Sequence, residues 1–271
     1  HEQHRSDKLP KRQQQNRSHD LSLLEGVTQR AVLSAQTFDT APDMTETEFR
    51  LLEVARLLRE RYGRHAPAPS VLPDDPLDEL IHTILSQQNV GVVTQRLFDA
   101  MKTSFPTWRK ALEAGSEKIQ RVLEGAGGGL AAVKSRSIHK CLTQILELKG
   151  ELSLEFLRGV PLEEAREFLE DLPGVGPKTS GCVLMFSLRL PAMPVDTHIH
   201  RIAKRLEFVG VNASAPQTQE WFEAQLPQTW AARHEFHVNA FQHGRETCKS
   251  QRPLCGQCVL QILCPSAADW L

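Results

Sequence analysis

A short run of glycines and prolines constrains the fold of this chain more than any other feature. Residues 172–180 read Leu-Pro-Gly-Val-Gly-Pro-Lys-Thr-Ser, and apolar residues recur at helical spacing on both sides. Gly174 and Gly176 can adopt backbone conformations that allow a tight turn, and Pro177 suits the first turn of a helix. The run therefore predicts a hairpin of two helices.

The start of the second helix is a candidate for chemistry. Unpaired amides at a helix start bind anions, and a DNA phosphate is one such anion. Lys178 lies in the first turn, where the helix dipole opposes a positive charge and should favour the neutral, nucleophilic amine. The alternatives are a turn used only for packing and an ordinary surface lysine.

The rest of the chain predicts an all-α protein. No segment shows the alternating pattern of a strand, and residues 125–129 form a glycine-rich loop. Residues 1–44 are polar and weakly periodic, which predicts a disordered tail.

No apolar run reaches membrane-spanning length and no secretory signal is recognised, so the cytoplasm is the expected compartment. The net charge of −1 argues weakly against nucleic-acid binding, although it permits a local basic face. Helices are predicted from residue 45 to 62, 77 to 85, 90 to 103, 131 to 150 and 161 to 172.

A second candidate is a carboxylate before a helix. Residues 194–202 read Pro-Val-Asp-Thr-His-Ile-His-Arg-Ile. Asp196 stands where a helix cap is expected, and amide hydrogen bonds to a cap favour the charged carboxylate. Such a group can also stabilise positive charge on a sugar or activate a nearby nucleophile. His198 and His200 are interpreted as structural residues.

The third candidate is a group of cysteines near the C-terminal end. Their spacing is C-x6-C-x2-C-x5-C, without the two short, separated pairs that are typical of zinc. One loop with four thiolates favours an iron–sulfur cluster, with zinc as the alternative. A structural and a redox role both stay open, and the basic residues around the first cysteine suggest a loop that contacts phosphate. The cysteines are Cys248, Cys255, Cys258 and Cys264, and the basic residues are Arg245, Lys249 and Arg252.

The hairpin with its lysine, the Val-Asp-Thr-His segment and the cysteine spacing, in this order, resemble the endonuclease III family from about residue 45 onwards. His243-Gly244-Arg245 before the first cysteine also matches. The resemblance implies two α-helical domains with damaged double-stranded DNA bound between them, one 4Fe-4S cluster and a bifunctional DNA glycosylase/AP lyase. Lys178 would form a Schiff base with the sugar, assisted by Asp196, during excision of oxidised pyrimidines.

The resemblance also implies domain limits and DNA contacts. A six-helix domain would span 69–190, and a cluster domain would combine 45–68 with 191–271. Gln88 would fill the gap left by the flipped base, Leu130 would act as a wedge, and the hairpin would bind the backbone through Gly174, Gly176 and Thr179. A monomer in a bacterial, nucleoid-associated setting is expected, with no membrane partner.

Some residues depart from the family pattern. Asn89-Val90-Gly91 follows Gln88 where a Thr-Asp pair is usual, the loop before Leu130 is unusually rich in glycine, and Pro177 replaces a residue that is commonly basic. These changes affect the expected substrate range and rate. The alternatives are a glycosylase with weak lyase activity or a damage-binding protein, an adenine mismatch glycosylase, which normally lacks the lysine, and a zinc-dependent DNA-binding module.

Overall fold

The computed structural model describes residues 45–63 and 74–271, and within these ranges the chain is helical without a β-strand. The predicted all-α class is therefore confirmed. Ten α-helices are found there, and all five predicted helices are among them. They are α1 (Glu46–Tyr62), α2 (Pro76–Ser86), α3 (Gly91–Ser104), α4 (Trp108–Gly125), α5 (Ala131–Lys149), α6 (Leu162–Glu170), α7 (Pro177–Cys182), α8 (Thr197–Arg205), α9 (Ala215–Gln225) and α10 (Trp230–Glu246).

Helix α2 begins at a strong sequence signal. The Asp75 side chain accepts hydrogen bonds from the amides of Leu77 and Asp78, and Pro76 occupies the first turn. Apolar residues then fill most of the helix and are buried on nearly every side. Helix α2 is thus a central helix, and α7 packs against it.

The predicted hairpin forms between α6 and α7. Gly174 has a φ of 82°, and a Cβ atom at this position would lie 2.9 Å from Ser137 Oγ. Only glycine meets both requirements, because positive φ and a close neighbour each exclude a larger side chain. Helix α7 is followed directly by a π-helical turn, Val183–Ser187.

Buried apolar residues form two separate clusters. One lies among residues 77–192 and includes the apolar faces of α2 to α6. The other joins α1 to residues from 185 to 260. Two clusters fit the expected two-domain arrangement, in which the first helix of the chain packs with its C-terminal part.

The exact domain limits remain a prediction. Met185 packs in the second cluster although the proposed six-helix domain extends to residue 190. The predicted disordered tail, residues 1–44, and the expected boundary near residue 69 lie outside the described residues. In the part of the chain that the structure describes, no helix is both long and apolar enough to cross a membrane.

Candidate active site

A pocket opens at the helical hairpin, and Lys178 is part of its wall. Its lining comes from four separate stretches: the end of α2, the hairpin, the segment before α8 and the start of α9. The lining residues are Gln87, Gly174, Gly176, Pro177, Lys178, Thr179, Val195, Ala215, Pro216 and Gln219. Lys178 therefore borders the space that a molecule in this pocket would occupy.

Lys178 faces three groups that can carry negative charge. The pKa of its ammonium is raised by Cys182, which it also hydrogen-bonds, and by the carboxylates of Asp196 and Glu79, while burial acts in the opposite direction. The expectation that the helix start favours the neutral amine is therefore wrong. The neighbouring groups, chiefly Cys182, oppose the effect of the dipole, which is small for a helix of only six residues.

Cys182 lies four residues after Lys178 on the same helix, so the two side chains share one face. The thiol is almost fully buried, and burial raises its pKa. Cys182 therefore stays protonated at neutral pH. The largest influence on the Lys178 pKa, a charge on Cys182, is then absent at neutral pH, and only the carboxylates supply negative charge around Lys178.

Glu79 of α2 is a buried carboxylate next to this group. Its side chain is 2% exposed, and Oε1 accepts a hydrogen bond of 2.8 Å from Thr83 Oγ1. Its other oxygen, Oε2, has no hydrogen-bond partner within the described residues. Burial raises the pKa of Glu79 to about 7, although Lys178 and the bond from Thr83 act in the other direction. Glu79 thus changes charge close to neutral pH.

Asp196 caps α8, as its position predicts. Its Oδ1 accepts hydrogen bonds from the amides of His198 and Ile199 at 3.0 and 2.9 Å. These bonds fix the carboxylate at the start of the helix, near Lys178. His237 lies behind Asp196, with Nδ1 2.9 Å from the carbonyl of Pro194, and burial lowers its pKa to about 4. His237 is therefore a neutral, structural neighbour.

The two predicted DNA-inserting residues lie on adjacent loops. Gln88 and Leu130 are both exposed, and both have left-handed backbones, with φ of 56° and 58°. A Cβ atom on Gly129 would lie 3.4 Å from Asn89 Oδ1, which shows that the loops meet. Asn89 in turn donates a 2.9 Å hydrogen bond to the Leu85 carbonyl. Strained conformations at exposed loop tips are typical of functional positions.

A buried lysine supports the base of these loops. Lys134 of α5 is 1% exposed, and its Nζ donates a 2.8 Å hydrogen bond to the carbonyl of Leu85 at the end of α2. Burial lowers the pKa of this amine. The loop that carries Gln88 is thereby tied to the helix that begins after Leu130.

The four cysteines of the C-terminal loop line a second pocket. Arg205 Nη1 donates to Cys248 Sγ at 3.2 Å, and the amide of Leu260 donates to Cys258 Sγ at 3.4 Å. Hydrogen bonds of this kind stabilise thiolates and tune the potential of a cluster. Within the described residues, however, no three His, Cys, Asp or Glu side chains are arranged to hold a single metal ion.

The residues predicted to contact DNA differ in exposure. Arg245, Lys249 and Arg252 are exposed, and the Arg245 guanidinium stacks 5.5 Å from the Phe241 ring centroid. Thr179 is only 5% exposed, and its amide donates to the Gly176 carbonyl at 2.8 Å. A contact between Thr179 and DNA would therefore involve the small part of Thr179 that lines the pocket, because the rest of the residue is buried.

Sequence reasoning did not find several residues of the site. The spacing of Lys178 and Cys182 on one helix was a usable signal, as was the spacing of Glu79 and Thr83. Gln87 and Gln219 carried no signal, because their approach to Lys178 depends on how α2 and α9 pack.

Comparison with known proteins places these features in a family. Residues 81–228 match the model of the HhH-GPD superfamily base excision DNA repair protein. Endonuclease III of Escherichia coli K12 is 32% identical over 215 residues, which cover 79% of this chain and 93% of that protein. A "Putative DNA glycosylase" of Arabidopsis thaliana is 34% identical over 191 residues, or 70% of this chain and 61% of that protein.

Two solved structures share the fold of this chain. A trapped covalent intermediate of endonuclease III with DNA superimposes with a TM-score of 0.70 at 25% identity, covering 83% of this chain and 99% of that one. A non-covalent endonuclease III–DNA complex matches with the same score and identity. The chain therefore belongs to the endonuclease III family, within the HhH-GPD superfamily of base excision DNA repair proteins, and has the fold of a DNA glycosylase.

Proposed function

We propose that this protein is a bifunctional DNA glycosylase and AP lyase that excises oxidised pyrimidines from duplex DNA. The observation that carries the proposal is the position of Lys178, which lines the pocket and lies close enough to Asp196 for that carboxylate to raise the pKa of its amine. A glycosylase that only hydrolyses the base needs no amine there. The trapped endonuclease III–DNA intermediate is a covalent complex of a relative with this fold.

The steps follow from the chemistry of these groups. Gln88 and Leu130 enter the base stack, and the damaged nucleotide turns into the pocket. Lys178 loses a proton, and its Nζ attacks C1′ of the sugar while the bond from C1′ to the base breaks and the base departs with the electron pair. Asp196 stabilises the positive charge that develops on the sugar. Loss of a further amine proton and opening of the sugar ring give a Schiff base, from which β-elimination nicks the strand 3′ to the lesion.

The backbone contacts in this proposal come from two parts of the molecule. Gly176 leaves the hairpin surface open for a phosphate group, because nothing lies within 4 Å of a Cβ atom placed there, whereas Gly174 allows the turn itself, because a Cβ atom there would meet Ser137. Arg245, Lys249 and Arg252 supply positive charge beside the cysteine loop. The net charge of −1 for the whole chain shows that any attraction to DNA is local.

We also propose that Cys248, Cys255, Cys258 and Cys264 hold one 4Fe-4S cluster. The donor set fits, since four thiols line one pocket and two of the four sulfurs accept N–H hydrogen bonds. Once bound, the cluster would bridge the loop and fix its shape. The adjacent basic residues would then be presented in a fixed arrangement. Iron and acid-labile sulfide analysis tests this, and stoichiometric zinc would contradict it.

Borohydride trapping tests the lyase. The substrates are a duplex with one thymine glycol and a duplex with one abasic site. Wild-type protein should form a covalent adduct with both, and Lys178→Ala with neither. Lys118→Ala, which removes an exposed lysine far from the pocket lining, should trap as well as wild type. No adduct with wild type, or undiminished trapping by Lys178→Ala, would overturn the proposed role.

A second candidate is a glycosylase with weak lyase activity. The departure from the family pattern after Gln88, Asn89-Val90-Gly91, favours this candidate, because it changes one wall near the expected pocket. It predicts base release without strand cleavage at neutral pH. Measuring base release and nicking in one reaction separates the two candidates.

A further inference from the structure

Gln219 is an unusual residue in the pocket of Lys178. It lies on α9, is 5% exposed and forms part of the pocket wall. Its neighbour Thr218 is also buried, but the hydroxyl of Thr218 donates a 2.8 Å hydrogen bond to the Ser214 carbonyl. By contrast, the side-chain amide of Gln219 makes no hydrogen bond to any residue in 45–63 or 74–271.

The amide of Gln219 is nearly enclosed by the protein and has no partner among the described residues. It is not one of the fully buried unpaired groups there, so it is accessible from the pocket. Polar groups in such positions are usually hydrogen-bonded to protein or to water. A molecule that enters the pocket can therefore replace water as the partner of Gln219.

The other walls indicate what that partner is. Gln87, at the end of α2, brings a second carboxamide to the same pocket, whereas Pro177, Val195 and Ala215 supply small or apolar surface. A pocket with apolar walls and a few polar groups suits a flat ring with a polar edge. Lys178 in the same wall would lie beside the sugar of a nucleotide whose base occupies the pocket.

We propose that Gln219, with Gln87 beside it in the pocket wall, reads the hydrogen-bonding edge of the extruded base and so determines specificity. This inference rests on the proposed glycosylase function. A carboxamide has one donor and one acceptor side by side, and it can form two parallel hydrogen bonds with an adjacent C=O and N–H on a ring. The imide edge of a thymine-derived base has this arrangement, so the pocket selects oxidised pyrimidines that keep the imide.

The test compares a base-containing substrate with one that lacks the base. Single-turnover trapping is measured on a thymine glycol duplex and on an abasic duplex, and the ratio of the two rates is the readout. Gln219→Ala should lower this ratio roughly 10- to 100-fold, the usual range for loss of a paired contact to a base edge. Gln219→Glu keeps the size but removes the donor, and should lower the ratio in the same direction. Gln225→Ala, on the same helix but outside the pocket lining, should leave it unchanged.

The outcomes separate this inference from the function on which it rests. If wild-type protein traps neither substrate, the proposed lyase function fails. If wild type traps both and Gln219→Ala lowers both rates equally, Gln219 is structural and the inference is wrong. An unchanged ratio in both Gln219 variants would also overturn it. Circular dichroism melting of each variant identifies any loss of fold.

Discussion

The cysteine pocket and the lysine pocket differ in how far apart in the sequence their key side chains lie. All four cysteines come from residues 248–264, one continuous loop, whereas the lysine pocket takes its lining from four stretches between Gln87 and Gln219. Short spacing keeps the four cysteines near one another in the chain, although α8 also contacts them through Arg205, while the lysine pocket exists only when α2, the hairpin and α9 pack together. The cysteine site can thus be predicted from the spacing of its residues in the sequence, whereas the lysine pocket depends on tertiary packing.

The largest effect is expected from a substitution in the cysteine loop. Cys258→Ser should abolish stoichiometric iron binding and lower the free energy of unfolding by several kcal/mol, because a metal centre that ties a loop contributes directly to folding. Iron analysis and thermal melting measure this. Cys141→Ala removes a buried cysteine from the other apolar cluster and should cost only about 1 kcal/mol, with iron content unchanged. Equal iron binding in both variants would contradict the assignment.

A smaller effect is expected from removing the charge of Glu79, the buried carboxylate beside Lys178. The unfolded chain releases the Glu79 proton near pH 4.5 and the folded protein near pH 7. The folded state therefore binds more protons between these values, and the stability from this group falls as pH rises through that window. Glu79→Gln removes the charge, so relative to wild type it should gain up to about 3 kcal/mol above pH 7 and little below pH 4.5. Denaturant melts at the two ends of the window measure the difference.

The same variant has a kinetic consequence. The Glu79 carboxylate raises the pKa of Lys178, so Glu79→Gln should move the acidic limb of the pH–trapping profile to lower pH. Asp99→Asn, on α3, is a suitable control because Asp99 is exposed. A stability gain without a shift in the profile would show that Glu79 affects folding but not the amine.

A still smaller effect concerns the wedge. Leu130→Ala should slow trapping on the thymine glycol duplex roughly tenfold, because part of the unstacking cost is no longer offset. Leu148→Ala provides a matched control, since Leu148 is also an exposed leucine, at 59%. Equal rates for both variants would remove Leu130 from the proposed base-flipping machinery.

The smallest effect concerns the basic residues beside the cysteine loop. Arg252→Ala should weaken DNA binding by a modest factor and reduce the slope of log affinity against log salt by about one phosphate contact. Arg121→Ala removes an exposed arginine from α4 and should leave the slope unchanged. Fluorescence anisotropy at several salt concentrations measures both slopes.

Much of the fold followed from local patterns. The hairpin, the Asp196 cap and all five predicted helices are where their residue patterns placed them, because caps, turns and apolar periodicity act over a few neighbouring residues. The charge state of Lys178 could not be predicted from local patterns. Its sequence position pointed to a neutral amine, yet Cys182 on the same helix and, to a smaller extent, Asp196 and the distant Glu79 raise its pKa.

The sequence by itself thus determined the helical class, the family and the residues that carry the proposed chemistry. These properties depend on short motifs. The geometry of such a motif is determined by the allowed backbone conformations and by the number of residues between its members. Only the tertiary structure decided that Gln219 and Gln87 share a pocket with Lys178, that Glu79 is buried beside it, and that the loops of Gln88 and Leu130 meet. The physical reason is that side-chain burial and electrostatic neighbours depend on helices that are distant in sequence and become adjacent only when the core is packed.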